Sequence, residues 1–315
     1  MISVNNLSKE FIVKKGGKKE SIIAVDNVSF EVKQGEMIAF IGPNGAGKST
    51  TIKMLTGVIA KSSGEISVLG YEPQKDRINL VKNIGCLFGQ KSSLWMHLPA
   101  IDSYRLFGSI YDIDKGELEQ RINYLIELFD AHDIVNIPVK KLSLGQRMKA
   151  EILASIIHKP KILFLDEPTI GLDVISKKKI LGIIKEINEK ENVTVFLTSH
   201  DMSDVERLCS RVIIIDKGRL VLDDNISSLK DRYSKTKTIT VSYDNIVDDN
   251  FEKFYVVKYI KEENLISVRV NKNSGNLAKV ISSLIKLGEV ADIKIDETSL
   301  EEIIEDIYKE ENQNE

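Results

Sequence analysis

Cysteine is scarce: the 315 residues hold two, Cys86 and Cys209, with no C-x-x-C spacing. They read as reduced, packed thiols, which excludes a disulfide-stapled secreted scaffold and a cysteine-ligated metal centre. Long apolar runs are missing as well. A bilayer-spanning helix needs about 20 apolar residues, whereas KILFLDEP and RVIIIDKG are short runs bounded by charge. The opening MISVNNLSKEF lacks the basic and apolar regions of a secretory signal. The chain is therefore expected to be cytoplasmic, with any membrane association arising through a partner. Charge of one sign is not in large excess either. A net charge of −3 creates no global basic field, so no nucleic-acid partner is expected. What remains, 42% hydrophobic and 29% charged residues, is the composition of a soluble protein with one large and one smaller domain.

The most informative positive feature is GPNGAGKST, Gly42 to Thr50. It fits G-x-x-x-x-G-K-[ST] through Gly42, Gly47, Lys48 and Ser49. An apolar strand-like run, Met37 to Ile41, precedes it, and a helical pattern, Thr51 to Leu55, follows. The glycines let the backbone turn tightly, so that several N–H groups point into one concavity, and the helix N-terminus adds its positive dipole end. Lys48 is expected on the β- and γ-phosphates of a nucleoside triphosphate, and the Ser49 hydroxyl on Mg²⁺. Asn44, Gly45 and Thr50 complete the expected binding loop.

KILFLDEPT supplies the other half of a phosphate site. Its hydrophobic strand ends in Asp166 and Glu167, at the carboxyl edge where ligands sit in open α/β sheets. Asp166 is expected to hold Mg²⁺, directly or through water, and Glu167 to orient and polarise the attacking water. The alternative reading of D-E-P is a surface turn after a strand; with a phosphate loop present, the catalytic reading prevails. LSLGQ, Leu142 to Gln146, lies before a helical run, Arg147 to Ile157. A Ser and a Gly at a helix start form either an anion site or, without other motifs, an ordinary N-cap.

The rest of the chain sets the frame. Ile2 to Val13 and Ser21 to Val32 read as strands around the solvated tip KKGGKK. Gly64 to Leu69 and Ile84 to Phe88 read as further strands, and Ile101 to Lys159 as mostly helical. Buried strands at Ile162 to Leu165, Val193 to Thr198 and Val212 to Ile215 flank a crossover helix, Ser176 to Glu189, which argues for a parallel α/β sheet. Lys230 to Lys237 reads as a polar linker. Beyond it, Ile266, Val268 and Val270 alternate as a strand, Leu277, Val280, Ile281 and Leu284 line a helix face, and Ala291, Ile293 and Ile295 alternate again. Thr298 with Glu301 suits a capping box for a last helix, whose apolar stripe is Leu300, Ile303, Ile304, Ile307 and Tyr308.

The phosphate loop, Gln90 in LFGQ, LSLGQ, ILFLDEP, GLD at Gly171 to Asp173 and His200 in TSH follow one another in the order and spacing of a known family. Over Met1 to Leu229 the chain resembles the nucleotide-binding subunit of an ATP-binding cassette (ABC) transporter. Leu144 departs from the family signature, which usually has glycine there. The resemblance implies a P-loop NTPase core of ABC type in residues 1–229, with a helical subdomain at about 92–160 and a small accessory α/β domain at 238–309. It implies ATP and Mg²⁺ as ligands and ATP hydrolysis as the activity. Gln90 would sense Mg²⁺ and the attacking water and link them to a transmembrane permease subunit. His200 would contact the γ-phosphate. Ser143, Gly145 and Gln146 of one chain would close on the nucleotide held by Lys48 of another, in a homo- or heterodimer, with Asp173 crossing the interface. Export is implied, by a subunit peripheral on the inner face of the cell membrane.

Some positions keep two readings. Phe11 stands where the family has an aromatic that stacks on adenine, and could equally be a core residue. Trp95, Met96 and Leu98 form either a docking patch for transmembrane coupling helices or part of the helical subdomain's packing. His97, His132 and His158 match no family motif and read as structural. A GTPase is disfavoured, because Asn271-Lys272-Asn273-Ser274 lacks the aspartate of N-K-x-D.

Overall fold

The computed structural model describes residues 1–15, 18–88, 92–233, 236–246, 256–262, 264–271 and 277–314. The chain divides into two units, Met1–Asp223 and Asp224–Glu315. The first opens with β1 (Ile2–Lys15), β2 (Lys18–Val32), β3 (Met37–Ile41), α1 (Lys48–Leu55), β4 (Ser63–Val68), α2 (Arg77–Val81) and β5 (Ile84–Phe88). A helical stretch follows: α3 (Ala100–Ile110), α4 (Lys115–Leu128) and α5 (Leu144–Ile156). The chain then returns through β6 (Ile162–Asp166), α6 (Val174–Glu191), β7 (Thr194–Thr198), α7 (Met202–Leu208), β8 (Arg211–Asp216) and β9 (Arg219–Asn225).

Two sheets result in this unit. One has the order β2-β1-β4, the other β5-β6-β7-β3-β8-β9. In the second, β3 pairs in parallel with both β7 and β8, and β6 pairs in parallel with β5 and β7. The near-continuous burial of MIAFI, ILFLD, TVFLT and RVIIID is what a parallel sheet covered on both faces demands. One apolar cluster joins the sheets, and in it Phe30 of β2 meets Phe40 and Phe196 at ring distances of 5.7 and 6.2 Å. The helical stretch is tied to this core by charge. Arg121 of α4 pairs with Glu191 of α6 at 2.6 Å and donates to the Ile156 carbonyl of α5 at 2.9 Å.

The second unit runs α8 (Ile226–Tyr233), β10 (Thr236–Ile246), β11 (Val256–Glu262), β12 (Leu265–Asn271), α9 (Leu277–Ile285), β13 (Gly288–Glu297) and α10 (Leu300–Asn314). Its antiparallel sheet has the order β11-β12-β10-β13. Val280 and Leu284 of α9 share a core with Ile239, Val241, Ile266 and Val268. Two expectations are corrected here. The stretch Lys230 to Lys237 is not simply a linker: Lys230 to Tyr233 form the last turn of α8, anchored upstream by buried Ile226 and Leu229, and Thr236 and Lys237 open β10. The cap of α10 is Ser299, not Thr298: its Oγ accepts from the Glu302 N–H at 3.2 Å. The motif is slipped by one residue, because S-L-E-E offers its own serine three residues before a glutamate.

Candidate functional site

The carboxyl ends of β3, β6 and β7 are adjacent because these strands are neighbours in the sheet. The chain leaves β3 into the phosphate loop. Gly47 caps α1 with φ 104, and a Cβ there would stand 2.5 Å from the Ala24 carbonyl oxygen. No side chain caps α1, so its first N–H groups are free to meet a ligand. Lys48 is 7% exposed, and its Nζ donates to the carbonyls of Gly42 at 2.6 Å and Pro43 at 3.0 Å. Burial lowers its pKa, while Glu167 and Asp166 work against that shift.

Asp166 ends β6. Its Oδ2 lies 3.3 Å from Ser49 Oγ, and its Oδ1 accepts from Thr198 Oγ1 at 2.6 Å. The register explains the second contact, since Asp166 stands opposite Thr198 across the β6–β7 pair. Glu167 takes a left-handed backbone, φ 54, a conformation that costs a non-glycine residue of the order of 1 kcal/mol or more. It is held there by its own N–H, which donates to both the carbonyl and the hydroxyl of Thr198, each at 3.1 Å. The turn swings the carboxylate toward His200, whose Nε2 is 2.6 Å from Glu167 Oε1. Thr198 had no signal of its own in the sequence; only the strand register makes it the residue that holds both acids.

The Ser49 hydroxyl and the Asp166 carboxylate are hard oxygen donors, of the kind Mg²⁺ accepts alongside phosphate and water oxygens. Among the described residues no group of three or more His, Cys, Asp or Glu could hold a metal unaided. The donor set fits an ion shared with a phosphate rather than a caged one.

A second cluster gathers Ser143, Gly145, Gln146 and Asp173. Ser143 Oγ accepts from Gln146 N at 3.2 Å, and Gln146 Oε1 accepts from Ser143 N at 3.0 Å, a complete capping box for α5. Asp173 caps α6, accepting from the N–H groups of Ile175 and Ser176 at 3.0 Å and from Ser176 Oγ at 2.6 Å. These bonds, the Ser176 hydroxyl first, hold its carboxyl below the ordinary range. The two helix starts touch: a Cβ on Gly145 would lie 2.5 Å from Ser176 Oγ. Among the described residues, no hydrogen bond or ion pair joins this cluster to the phosphate loop.

Gln90 lies outside the described residues. Phe11 sits on β1 opposite Ile22, 36% exposed, with Lys9 Nζ 4.8 Å from the ring centroid; it is not a core residue. Trp95 is 52% exposed and Leu98 is exposed too, so the tryptophan does not pack into the subdomain core. Its segment is clasped from below by buried Glu151 of α5, which accepts hydrogen bonds from Ser92 Oγ and from Ser93 N, the latter at 3.1 Å. Beside the clasp lies a cavity of about 240 Å³ lined by Cys86, Phe88, Ser93, Phe107, Tyr111 and His158. The other histidines bond locally: His97 with Lys140, His132 with Glu127, and His158 with the Ile84 carbonyl.

The chain is similar to known proteins. The profile of the family described as ABC transporter matches residues 25–170. The linearmycin resistance ATP-binding protein LnrL of Bacillus subtilis (strain 168) is 30% identical over 287 residues, covering 90% of this chain and 89% of that protein. The bacitracin transport ATP-binding protein BcrA of Bacillus licheniformis is 30% identical over 280 residues, covering 89% of this chain and 90% of that one. A solved dimeric, post-hydrolysis state of the ATP-binding cassette MJ0796, bound to ADP and inorganic phosphate, is similar with a TM-score of 0.64 and 25% identity. That likeness covers 72% of this chain and 99% of that one.

Proposed function

Because this chain belongs to the ABC transporter ATP-binding family, we propose that it powers export through separate transmembrane subunits by ATP-driven dimerisation. ATP hydrolysis is the activity of the family and of this chain. The observation that carries the reading is the division of the site. Lys48, Ser49, Asp166, Glu167 and His200 converge at one sheet edge, while Ser143, Gly145 and Asp173 stand apart from them as a half-site in search of a phosphate. Two copies, head to tail, would supply each loop with the other's half-site. Leu144, Ile170, Val174 and Ile175, 40%, 45%, 83% and 70% exposed, give the second cluster an apolar surround suited to burial against another chain. The dimeric MJ0796 cassette lends support.

In this reading Lys48 exchanges the Gly42 and Pro43 carbonyls for the β- and γ-phosphates. Ser49 and Asp166 would hold Mg²⁺, which would neutralise phosphate charge when bound. Glu167 takes the proton of the water whose oxygen bonds to the γ-phosphorus as the bond from that phosphorus to the β,γ-bridging oxygen breaks and ADP leaves, and His200 contacts the γ-phosphate. Gln90 and Phe11 fill the roles described for them above, at the water and at adenine. No helix among the described residues is long and apolar enough to cross a membrane; in this reading the path for cargo belongs to the transmembrane subunits. The Trp95–Leu98 segment, with Trp95 and Leu98 exposed, is the proposed contact with them. The linearmycin-resistance name of one relative supports outward transport.

Glu167→Gln tests the mechanism, because it keeps size but removes the base. Turnover should fall at least ~10²-fold, with ATP still bound and an ATP-dependent dimer accumulating on a sizing column. Near-parental turnover would exclude Glu167 as the base, and a variant that stays monomeric with ATP would exclude the closed dimer.

A further inference from the structure

Behind the Glu167–His200 pair lies a buried carboxylate that the mechanism above leaves unused. Asp204 of α7 is 1% exposed. Its Oδ2 accepts from Thr169 Oγ1 at 2.8 Å, and its Oδ1 lies 3.1 Å from Lys177 Nζ. Lys177 of α6 also pairs with Asp201, the residue after His200. Asp201 in turn caps α7 by accepting from Ser203 N at 2.9 Å, and its own N–H donates to Ser199 Oγ at 3.0 Å. Thr169 sits two residues beyond Glu167. Lys177 directly follows Ser176, the residue that abuts Gly145. Three segments are therefore linked through Lys177 and its two carboxylates: the loop of Glu167 by way of Thr169 and Asp204, the loop of His200 by way of Asp201, and the helix start against the Ser143–Gly145 cluster.

Burying an ion pair adds little net stability, and breaking one leaves an uncompensated charge. A pair of this kind can be kept for the geometry it fixes rather than for net stability. We propose that Lys177, acting through Asp204 and Asp201, is a positioning residue for ATP hydrolysis, locking the His200 loop to the Glu167 loop and both to the start of α6. Contact of a phosphate at Ser143 and Gly145 is thereby passed, through one rigid helix end, to the hydrolytic pair of the same chain. The inference rests on the roles given above to Glu167 and His200.

The test is steady-state ATPase kinetics of the full chain for Lys177→Met, Lys177→Arg, Asp204→Asn and the Met–Asn double variant, with Glu167→Gln as reference. A misplaced catalytic group costs up to about 10²-fold, so Lys177→Met should lower kcat by roughly 10–100-fold while KM for ATP stays near the parental value. Lys177→Arg, which keeps the charge, should recover most of kcat. The double variant should lose no more than the worse single one, because both act through one pair. Should Lys177→Met fail to fold, Asp204→Asn, which keeps the Thr169 contact, carries the same kcat prediction. Parental kcat in these variants, while Glu167→Gln is inactive, overturns the Lys177 inference alone. So does a loss in which arginine does no better than methionine, or one that falls equally on ATP affinity. An active Glu167→Gln overturns the reading beneath it and the inference together.

Discussion

Thr198→Val is the most exposing perturbation of this site, because one hydroxyl serves both acids. Thr198 is fully buried. Its Oγ1 donates to Asp166 Oδ1 at 2.6 Å and accepts from Glu167 N at 3.1 Å. Valine removes the donor to a carboxylate, a bond worth roughly 1.5–3 kcal/mol. Glu167 N–H is not orphaned, since the Thr198 carbonyl also receives it at 3.1 Å. A methyl group, however, needs about 3.3 Å from an oxygen, more than the space the hydroxyl occupies, so crowding pushes the cost toward the upper end. The expected loss is about 2–3 kcal/mol, roughly 30- to 150-fold in the folding equilibrium. Thr198→Ser keeps the hydroxyl and loses one methyl, at about 1 kcal/mol. Urea unfolding followed at Trp95, the one tryptophan of the chain, reports on the unit that contains the site. The valine variant should also need more Mg²⁺ for half-maximal ATPase, because Asp166 loses its fixed orientation. If valine costs no more stability than serine, and the Mg²⁺ requirement is unchanged, the hydroxyl does not hold the acids.

Lys48→Ala removes the cation buried at the loop, so ATP affinity should collapse before any effect on chemistry; equal affinity by equilibrium titration would refute the phosphate-loop assignment. Trp95→Ala should weaken co-purification with membrane subunits from detergent extracts by about thirtyfold, the ~2 kcal/mol typical of a central aromatic anchor. ATP binding by the isolated subunit should persist, and an undiminished complex would move the docking surface elsewhere. Asp201 supplies a pH test. Burial raises its pKa, but hydrogen bonds from Lys177 and Ser203 outweigh that and pull the carboxyl from 3.8 to about 2. A depressed carboxyl adds stability that is complete above the unfolded value and disappears as pH falls through the folded one. Asp201→Asn should therefore flatten the acid limb of the stability profile between about pH 4 and 2 at low salt; superimposable limbs would refute the pairing.

Strands that are apolar on both faces were legible as such. Met37–Ile41 and Ile84–Phe88 appear in the structure with the bounds the sequence suggests, because each is a short apolar run closed by a glycine on its carboxyl side. Some partly covered strands were not. RLVLDDN of β9 is half-buried from Leu220 to Asp224 and exposed at both ends, and β10, TKTITVSYDNI, hides its alternation among threonines and serines. Helix α8 was lost for a similar reason: its outward face is the charged stretch that reads as linker, and its two anchors lie upstream.

The site divides along the same line. Residues that face a ligand sit where the backbone must do something unusual, so Gly47 and Lys48 stand out as letters in a string. Residues that hold those in place have no such mark. Thr198 is one polar residue at the end of an apolar strand, and Lys177 is one of three consecutive lysines. What distinguishes them is strand order. β3 lies between β7 and β8, strands more distant from it in the chain than any local pattern can reach. That insertion brings the β6 and β7 ends beside the phosphate loop. Once Asp166 stands opposite Thr198, a hydroxyl becomes the support of two acids. Once α6 and α7 pack behind the same edge, a lysine and an aspartate 27 residues apart become one ion pair. Supporting residues acquire their chemistry from topology, so substitutions at Thr198, Lys177 and Asp204 test the fold and the mechanism in a single measurement, whereas substitutions at Lys48 test the motif alone.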